Sequence, residues 1–116
     1  MSIKPIQWLG SSRNDVRAFP ADARQVAGFQ LYRVQQGLDP NDWKPMPTVG
    51  QGVVEIRIRT GREHRVVYTA KFADAVYVLH AFEKKSRKTL KRDLQIARER
   101  LRKLIETRRR KNASKE

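Results

Sequence analysis

The sequence predicts an α+β domain: an N-terminal helical hairpin packed on a small antiparallel sheet, with a long basic helix at the C-terminus. Three observations predict this fold. Residues 55–59, 64–68 and 77–82 alternate apolar and polar side chains, the period of strands with one wet face. Apolar residues recur at helical spacing in 23–34 and again in 90–104. At 116 residues, the chain is most simply one domain.

The first third of the chain is expected to hold one strand and two helices. Residues 3–8 can form a short strand, and Pro5 favours an edge position because proline cannot donate a ladder hydrogen bond. Either serine of 11–12 can cap a short helix. The second helix is expected between Pro20 and Gly37, since glycine commonly ends helices.

The middle of the chain is expected to be a long loop followed by the sheet. Residues 38–52 contain three prolines and two glycines and are expected to be irregular. Residues 53–59 form the first strand. Its apolar positions make the core face: Val54, Ile56 and Ile58. Its charged positions lie on the opposite face: Glu55, Arg57 and Arg59. Two further strands complete an antiparallel meander of three or four strands.

A long amphipathic helix is expected after the lysine-rich turn. Thr89 can cap it. Its apolar positions follow spacings of four and three residues: Leu90, Leu94, Ala97, Leu101 and Leu104. We interpret this stripe as core or partner interface. The domain is expected to span residues 1–107, with residues 108–116 as a basic, disordered tail.

The charge of the chain indicates a polyanionic partner. The net charge is +14, and residues 83–116 hold 15 Lys and Arg against 5 Asp and Glu. Such a field favours phosphate-rich partners, because each neutralised phosphate releases a counterion. The absence of cysteines fits a reducing cytoplasm. No apolar run approaches the length of a membrane helix, so we expect a cytoplasmic protein without a membrane partner.

The strands and the lysine-rich turn together suggest phosphodiester chemistry. A sheet face carrying Arg57, Arg65 and His80 beside Lys84 and Lys85 supplies fixed cations, hydrogen-bond donors and a group that moves protons. With two histidines and no cysteine, a metal or other cofactor has little support, and none is expected. Non-catalytic roles for these residues stay open. An arginine can pair with a strand glutamate, the histidine can be structural, and the lysines can serve only to attract phosphate.

Several motifs together resemble a known family. In chain order they are Glu55-x-Arg57, Arg65-x-x-Tyr68, the run from Leu79 and His80 through Phe82 to Lys84 and Lys85, and Ala97 followed by Arg100. Their order and spacing resemble the phage-related, HigB-like branch of the RelE/ParE toxin superfamily. The resemblance spans about residues 3–107 and implies a RelE-like fold. Where ribonuclease members often carry a tyrosine, histidine or aspartate, this chain reads Lys88-Thr89-Leu90.

The resemblance implies the toxin of a type II toxin–antitoxin pair. Such toxins usually cleave messenger RNA at the ribosome without metal, by attack of the ribose 2′-hydroxyl on the adjacent phosphate. A cognate antitoxin, in this branch often a helix-turn-helix protein, neutralises them. Two alternatives stay open: a ParE-like toxin that binds DNA gyrase without cutting RNA, and a small basic nucleic-acid-binding accessory protein.

The resemblance and the chemistry together assign roles to the basic residues. The candidate catalytic residues are Arg57, Arg65, His80, Lys84 and Lys85. The candidate RNA-binding residues are Arg59, Arg87, Lys88, Lys91 and Arg92. In the resemblance, Arg65 corresponds to a phosphate-contacting arginine, and Lys84 or Lys85 lies near a second catalytic cation.

Overall fold

A computed structural model describes residues 3–114, which form a five-stranded sheet with helices on both faces. In chain order the elements are β1 (Ile6–Trp8), α1 (Ser12–Arg17), α2 (Ala21–Gln35), β2 (Trp43–Pro45), β3 (Val53–Arg59), β4 (Glu63–Thr69), β5 (Val76–Lys84) and α3 (Lys91–Ser114). The predicted α+β class is confirmed. Among the described residues, no helix combines the length and apolarity needed to cross a membrane.

The strands follow the order β1-β5-β4-β3-β2. The three central strands form the predicted antiparallel meander, with Gly61 at a φ of 112° in the turn between β3 and β4. Strand β1 lies at one edge of the sheet, which confirms the position predicted from Pro5, but it pairs in parallel with β5 and so extends the sheet beyond the antiparallel meander. At the other edge, β2 lies inside residues 38–52, which the sequence predicts to be irregular. A three-residue strand is too short to show an alternation pattern.

Helices α1 and α2 cover one face of the sheet. Their buried apolar residues are Val16, Phe19, Ala23, Ala27, Leu31 and Val34. They pack on the sheet residues Ile56, Ile58, Val66, Tyr68, Val76, Val78 and Ala81, with Val54 partly buried beside them. The predicted core face of β3 is therefore confirmed. Gly37, at a φ of 87°, follows α2 as predicted, in a conformation that favours glycine.

Helix α3 covers the opposite face of the sheet. Three positions of its predicted stripe, Ala97, Leu101 and Leu104, are buried against Val67 and Leu79 of the sheet. Leu94 is half-buried. The helix begins at Lys91, so Leu90 precedes it and is exposed.

A bulge in β5 changes which side chains face α3. Val67 pairs with His80 whereas Tyr68 pairs with Val78, so Leu79 is an extra residue in the ladder. Leu79 packs under α3, and the neighbouring His80 also reaches α3. Strict alternation would have placed these two side chains on opposite faces.

Hydrogen bonds from Arg108 hold the C-terminal part of α3 against β5 and the loop before it. Arg108 donates to both carboxylate oxygens of Asp74 at 3.0 Å and to the hydroxyl of Tyr77 at 3.1 Å. Its guanidinium also lies 4.0 Å from the ring centroid of Phe72. Helix α3 continues to Ser114, so residues 108–114 differ from the expected disordered tail. Lys115 and Glu116 lie outside the described residues.

The first prediction concerns this contact. Arg108→Ala should lower the free energy of unfolding of the full chain by about 1 kcal/mol, through loss of an exposed ion pair and a cation–π contact. Arg109→Ala removes an exposed neighbouring charge and should change stability little. Denaturant unfolding measures both. Equal stability of the two variants would contradict this account.

The contribution of Arg108 should also depend on pH. Hydrogen bonds from Tyr77 and then from Arg108 lower the pKa of Asp74 in the folded protein. The stabilisation is therefore present near neutral pH and is lost as the pH falls through the folded-state pKa. The difference between parent and Arg108→Ala should shrink over that acidic range.

Candidate functional site

The charged face of the meander meets the lysine-rich turn in an open groove of about 490 Å³. The residues that line it are Arg57, Arg59, Glu63, Arg65, Lys84, Lys85, Ser86 and Arg87, and we call them the cationic groove. Within the described part of the chain, Glu63 is the one carboxylate in this lining. Such a groove can hold a strongly anionic ligand.

Strand register brings these residues together. Glu63 of β4 pairs with Arg59 on one side and with Lys84 on the other. Two residues further along β4 and on the same face, Arg65 pairs with Arg57 of β3. Side chains opposite each other in neighbouring strands lie about 5 Å apart at their Cβ atoms, so these rows form one continuous charged surface.

A buried ion pair lies beneath the groove. Glu55 is 0% exposed and Arg65 is 2% exposed. The Arg65 Nε atom lies 3.3 Å from a Glu55 carboxylate oxygen, and the Arg65 Nη2 atom donates to Glu63 at 2.9 Å. Neither Glu55 oxygen has a well-aligned hydrogen bond within residues 3–114. Charge rather than hydrogen-bond geometry therefore holds Glu55.

The burial of Arg65 departs from the wet face that the sequence predicts for these strands. Glu55 pairs with Lys44 of β2 on one side and with Val67 on the other, and Val67 belongs to the apolar cluster under α3. Glu55 therefore has a strand on each side, and Arg65 pairs with Phe82, which packs against the same apolar cluster. Arg65 reaches the groove only as part of its floor, with its guanidinium already paired to carboxylates.

The two arginines of β3 share one carboxylate. Asp42 lies 3.9 Å from Arg57 Nη1 and 3.3 Å from Arg59 Nε. The Nε atom of Arg57 is buried and finds no acceptor within residues 3–114. Asp42 holds both guanidinium groups at the groove while leaving some of their donors for a ligand.

Lys84 is the titratable group of the groove with an altered proton affinity. Partial burial, followed by repulsion from Arg65, lowers the pKa of Lys84. Lys44 adds to this effect, whereas Glu55 and Glu63 oppose it.

His80 does not line the cationic groove. Its Nε2 atom lies 2.8 Å from an Asp93 carboxylate oxygen in the first turn of α3, and its ring stacks on Phe82. Its Nδ1 atom is buried without a partner within the described residues. This geometry favours the structural alternative for His80, as a link between β5 and α3.

The remaining predicted residues surround the turn after β5. Lys85 is exposed, with Glu83 at 3.9 Å. Lys88 and Arg92 line a neighbouring hollow of about 260 Å³, and Lys91 is exposed at the start of α3. Within residues 3–114, no group of three His, Asp or Glu side chains converges as metal ligands.

Sequence reasoning missed three residues of this region: Asp42, Lys44 and Glu63. The alternation of β4 contains a signal for Glu63, since it lies two residues before Arg65 and so on the same face. Asp42 and Lys44 carry no such signal, because only the pairing of β2 with β3 brings Lys44 beside Glu55 and the preceding Asp42 beside the two arginines of β3.

The second prediction concerns the buried pair. Arg65→Ala should lower the free energy of unfolding by about 3–5 kcal/mol, because it leaves the Glu55 carboxylate buried without a partner. The apolar double variant Glu55→Leu with Arg65→Met should recover much of that loss. Arg57→Ala, at a partly exposed site, should cost about 1 kcal/mol or less. Denaturant unfolding that finds Arg65→Ala as stable as the parent would contradict the pairing.

Comparison with known proteins identifies the family. The family described as Phage derived protein Gp49-like (DUF891) matches residues 14–102, which include all predicted site residues. Among curated proteins, none matches the chain. The narrower HigB-like branch stays a prediction. Because the match covers most of the sequence, the chain belongs to the Gp49-like phage-derived protein family, a toxin-like family of the RelE/HigB type.

Proposed function

We propose that this chain is the toxin of a type II toxin–antitoxin pair and that it cleaves messenger RNA on the ribosome. The observation that carries the proposal is the pairing of Glu63 with Lys84 across neighbouring strands at the cationic groove. A carboxylate and a lysine of lowered pKa, surrounded by arginines, form the set that acid–base cleavage of a phosphodiester requires. Membership of a toxin-like family supports the biological role.

The scissile phosphate is proposed to bind at Arg57 and Arg59. A planar guanidinium can hold two phosphate oxygens at once. Asp42 pairs with one nitrogen of each guanidinium, and both arginines line the groove, so their remaining exposed donors are proposed to bind the phosphate. These donors stabilise the negative charge that the pentavalent phosphorane gains in the transition state.

Glu63 and Lys84 are proposed to carry the protons. Glu63 takes the proton of the ribose 2′-hydroxyl, whose oxygen attacks the adjacent phosphorus. The bond from phosphorus to the 5′-oxygen breaks, and Lys84 gives its proton to that oxygen. The products are a 2′,3′-cyclic phosphate and a free 5′-hydroxyl. The lowered pKa of Lys84 brings its ammonium closer to the working pH, which favours proton release.

The buried residues are proposed to position this pair. Arg65 fixes one oxygen of Glu63 through its 2.9 Å hydrogen bond, and the other oxygen can meet the hydroxyl. Glu55 in turn holds Arg65. The exposed cations at and beside the turn then guide RNA to the groove: Lys85, Arg87, Lys88, Lys91 and Arg92.

The third prediction separates proton transfer by Lys84 from charge steering. Lys84→Ala and Lys84→Arg should both slow cleavage by about 10²- to 10⁴-fold, because arginine keeps the charge but cannot release a proton. The measurement is the single-turnover rate on messenger RNA at saturating ribosome. Lys103→Ala, on α3 outside the cationic groove, is the control and should keep the parental rate. A fully active Lys84→Arg variant would reduce Lys84 to a phosphate-steering charge.

The fourth prediction tests the base. Glu63→Gln should slow cleavage by about 10²- to 10⁴-fold while keeping an amide oxygen for the Arg65 hydrogen bond. Thermal stability should therefore stay near that of the parent. Glu83→Gln makes the same change at the residue that pairs with His64, which contacts Phe19 on the α1 side of the sheet. If Glu63→Gln cleaves as fast as Glu83→Gln, another group is the base.

A further inference from the structure

Exposed apolar side chains gather along α2. The large apolar residues that are exposed in the described part of the chain are Ile3, Phe29, Tyr32, Leu38, Trp43 and Leu90. Phe29 and Tyr32 lie on α2, at 56% and 46% exposure. Leu38 follows the helix and donates its backbone N–H to Arg33. Ile3 precedes Lys4, which exchanges hydrogen bonds with Gln35 at the end of α2. Four of the six therefore belong to one region.

The two aromatic residues belong to an uncharged stripe on the outer side of α2. Gln25, Phe29 and Tyr32 of α2, together with Gln36 at its C-cap, follow spacings of four, three and four residues. They therefore line one side of the helix, and we call them the α2 stripe. The buried side of α2 carries Ala23, Ala27, Leu31 and Val34. All four residues of the stripe are exposed and neutral, in a chain with 26 Lys and Arg residues.

Gly28 adds a second, independent observation beside the stripe. It is exposed in the middle of α2, and a Cβ atom added there would meet nothing within 4 Å. Glycine at such a position weakens a helix by about 1 kcal/mol relative to alanine. The fold of this chain gives no packing reason for a glycine here. A glycine beside two exposed aromatic side chains lets the backbone of another molecule approach closely.

We propose that the α2 stripe is the docking surface for the cognate antitoxin, an acidic protein that packs apolar side chains on Phe29 and Tyr32. The inference rests on the proposed toxin function. RNA does not fit this surface, since the stripe offers no cation to a phosphate. A second copy does not fit either, because two chains of +14 repel each other. An acidic protein would instead be attracted by the positive net charge of this chain.

The test uses the full-length chain and the purified antitoxin encoded by the adjacent reading frame. The double variant Phe29→Gln with Tyr32→Gln should weaken antitoxin binding by about 30-fold or more, the loss that follows when at least one hot-spot aromatic is removed. Gly28→Gln should weaken it as well, by filling the gap, without lowering thermal stability. Leu90→Gln, which changes a side chain 51% exposed outside this region, should bind like the parent.

Other outcomes would overturn the inference. Parental affinity in the double variant would place the antitoxin elsewhere, and absence of any complex with the adjacent-frame protein would remove the partner. A dimer of the chain alone that the double variant dissociates, seen by sedimentation, would assign the stripe to a second copy. Failure of the nuclease proposal looks different: the chain would leave messenger RNA intact yet still bind antitoxin through the stripe.

Discussion

The buried pairing of Glu55 with Arg65 is the interaction on which the proposed site depends. A carboxylate with no exposure would be strongly destabilising alone, and the adjacent guanidinium offsets that cost. Arg65 also links this buried pair to the groove, because it donates a hydrogen bond to Glu63 there. Partial burial lowers the pKa of Lys84, and the charge of Arg65 lowers it further. One buried arginine thus fixes the position of the proposed base and contributes to the lowered pKa of the proposed acid.

The two faces of the sheet separate two kinds of surface. The side covered by α3 carries the cationic groove, whereas the side covered by α1 and α2 carries the uncharged α2 stripe with its two exposed aromatic residues. The β5 bulge contributes to this separation, since it turns both Leu79 and His80 toward α3. His80 then links β5 to the first turn of α3 through Asp93. Contacts with nucleic acid and with protein can therefore occupy different faces.

Alternation and helical spacing predicted the elements that repeat their signal over several residues. The face of β3 that carries Glu55, Arg57 and Arg59 follows from the period of two residues in a strand. The apolar face of α3 at Ala97 and Leu101 follows from the helical spacing of three and four residues. The burial of Glu55 and Arg65 could not be predicted in this way, because it depends on residues of other strands. Lys44 and Val67 lie beside Glu55, and Phe82 lies beside Arg65. The β5 bulge breaks the period that the prediction used.

The proposed cleavage can be measured by mapping transcript ends in bacteria that express this chain. We expect growth arrest with new ends inside translated messages, absent when translation is blocked and absent from cells that express Glu63→Gln to the same level. Growth arrest with intact transcripts and halted DNA replication would contradict the account and favour a gyrase target. Parental cleavage by Glu63→Gln would contradict the proposed pairing of Glu63 with Lys84 as base and acid.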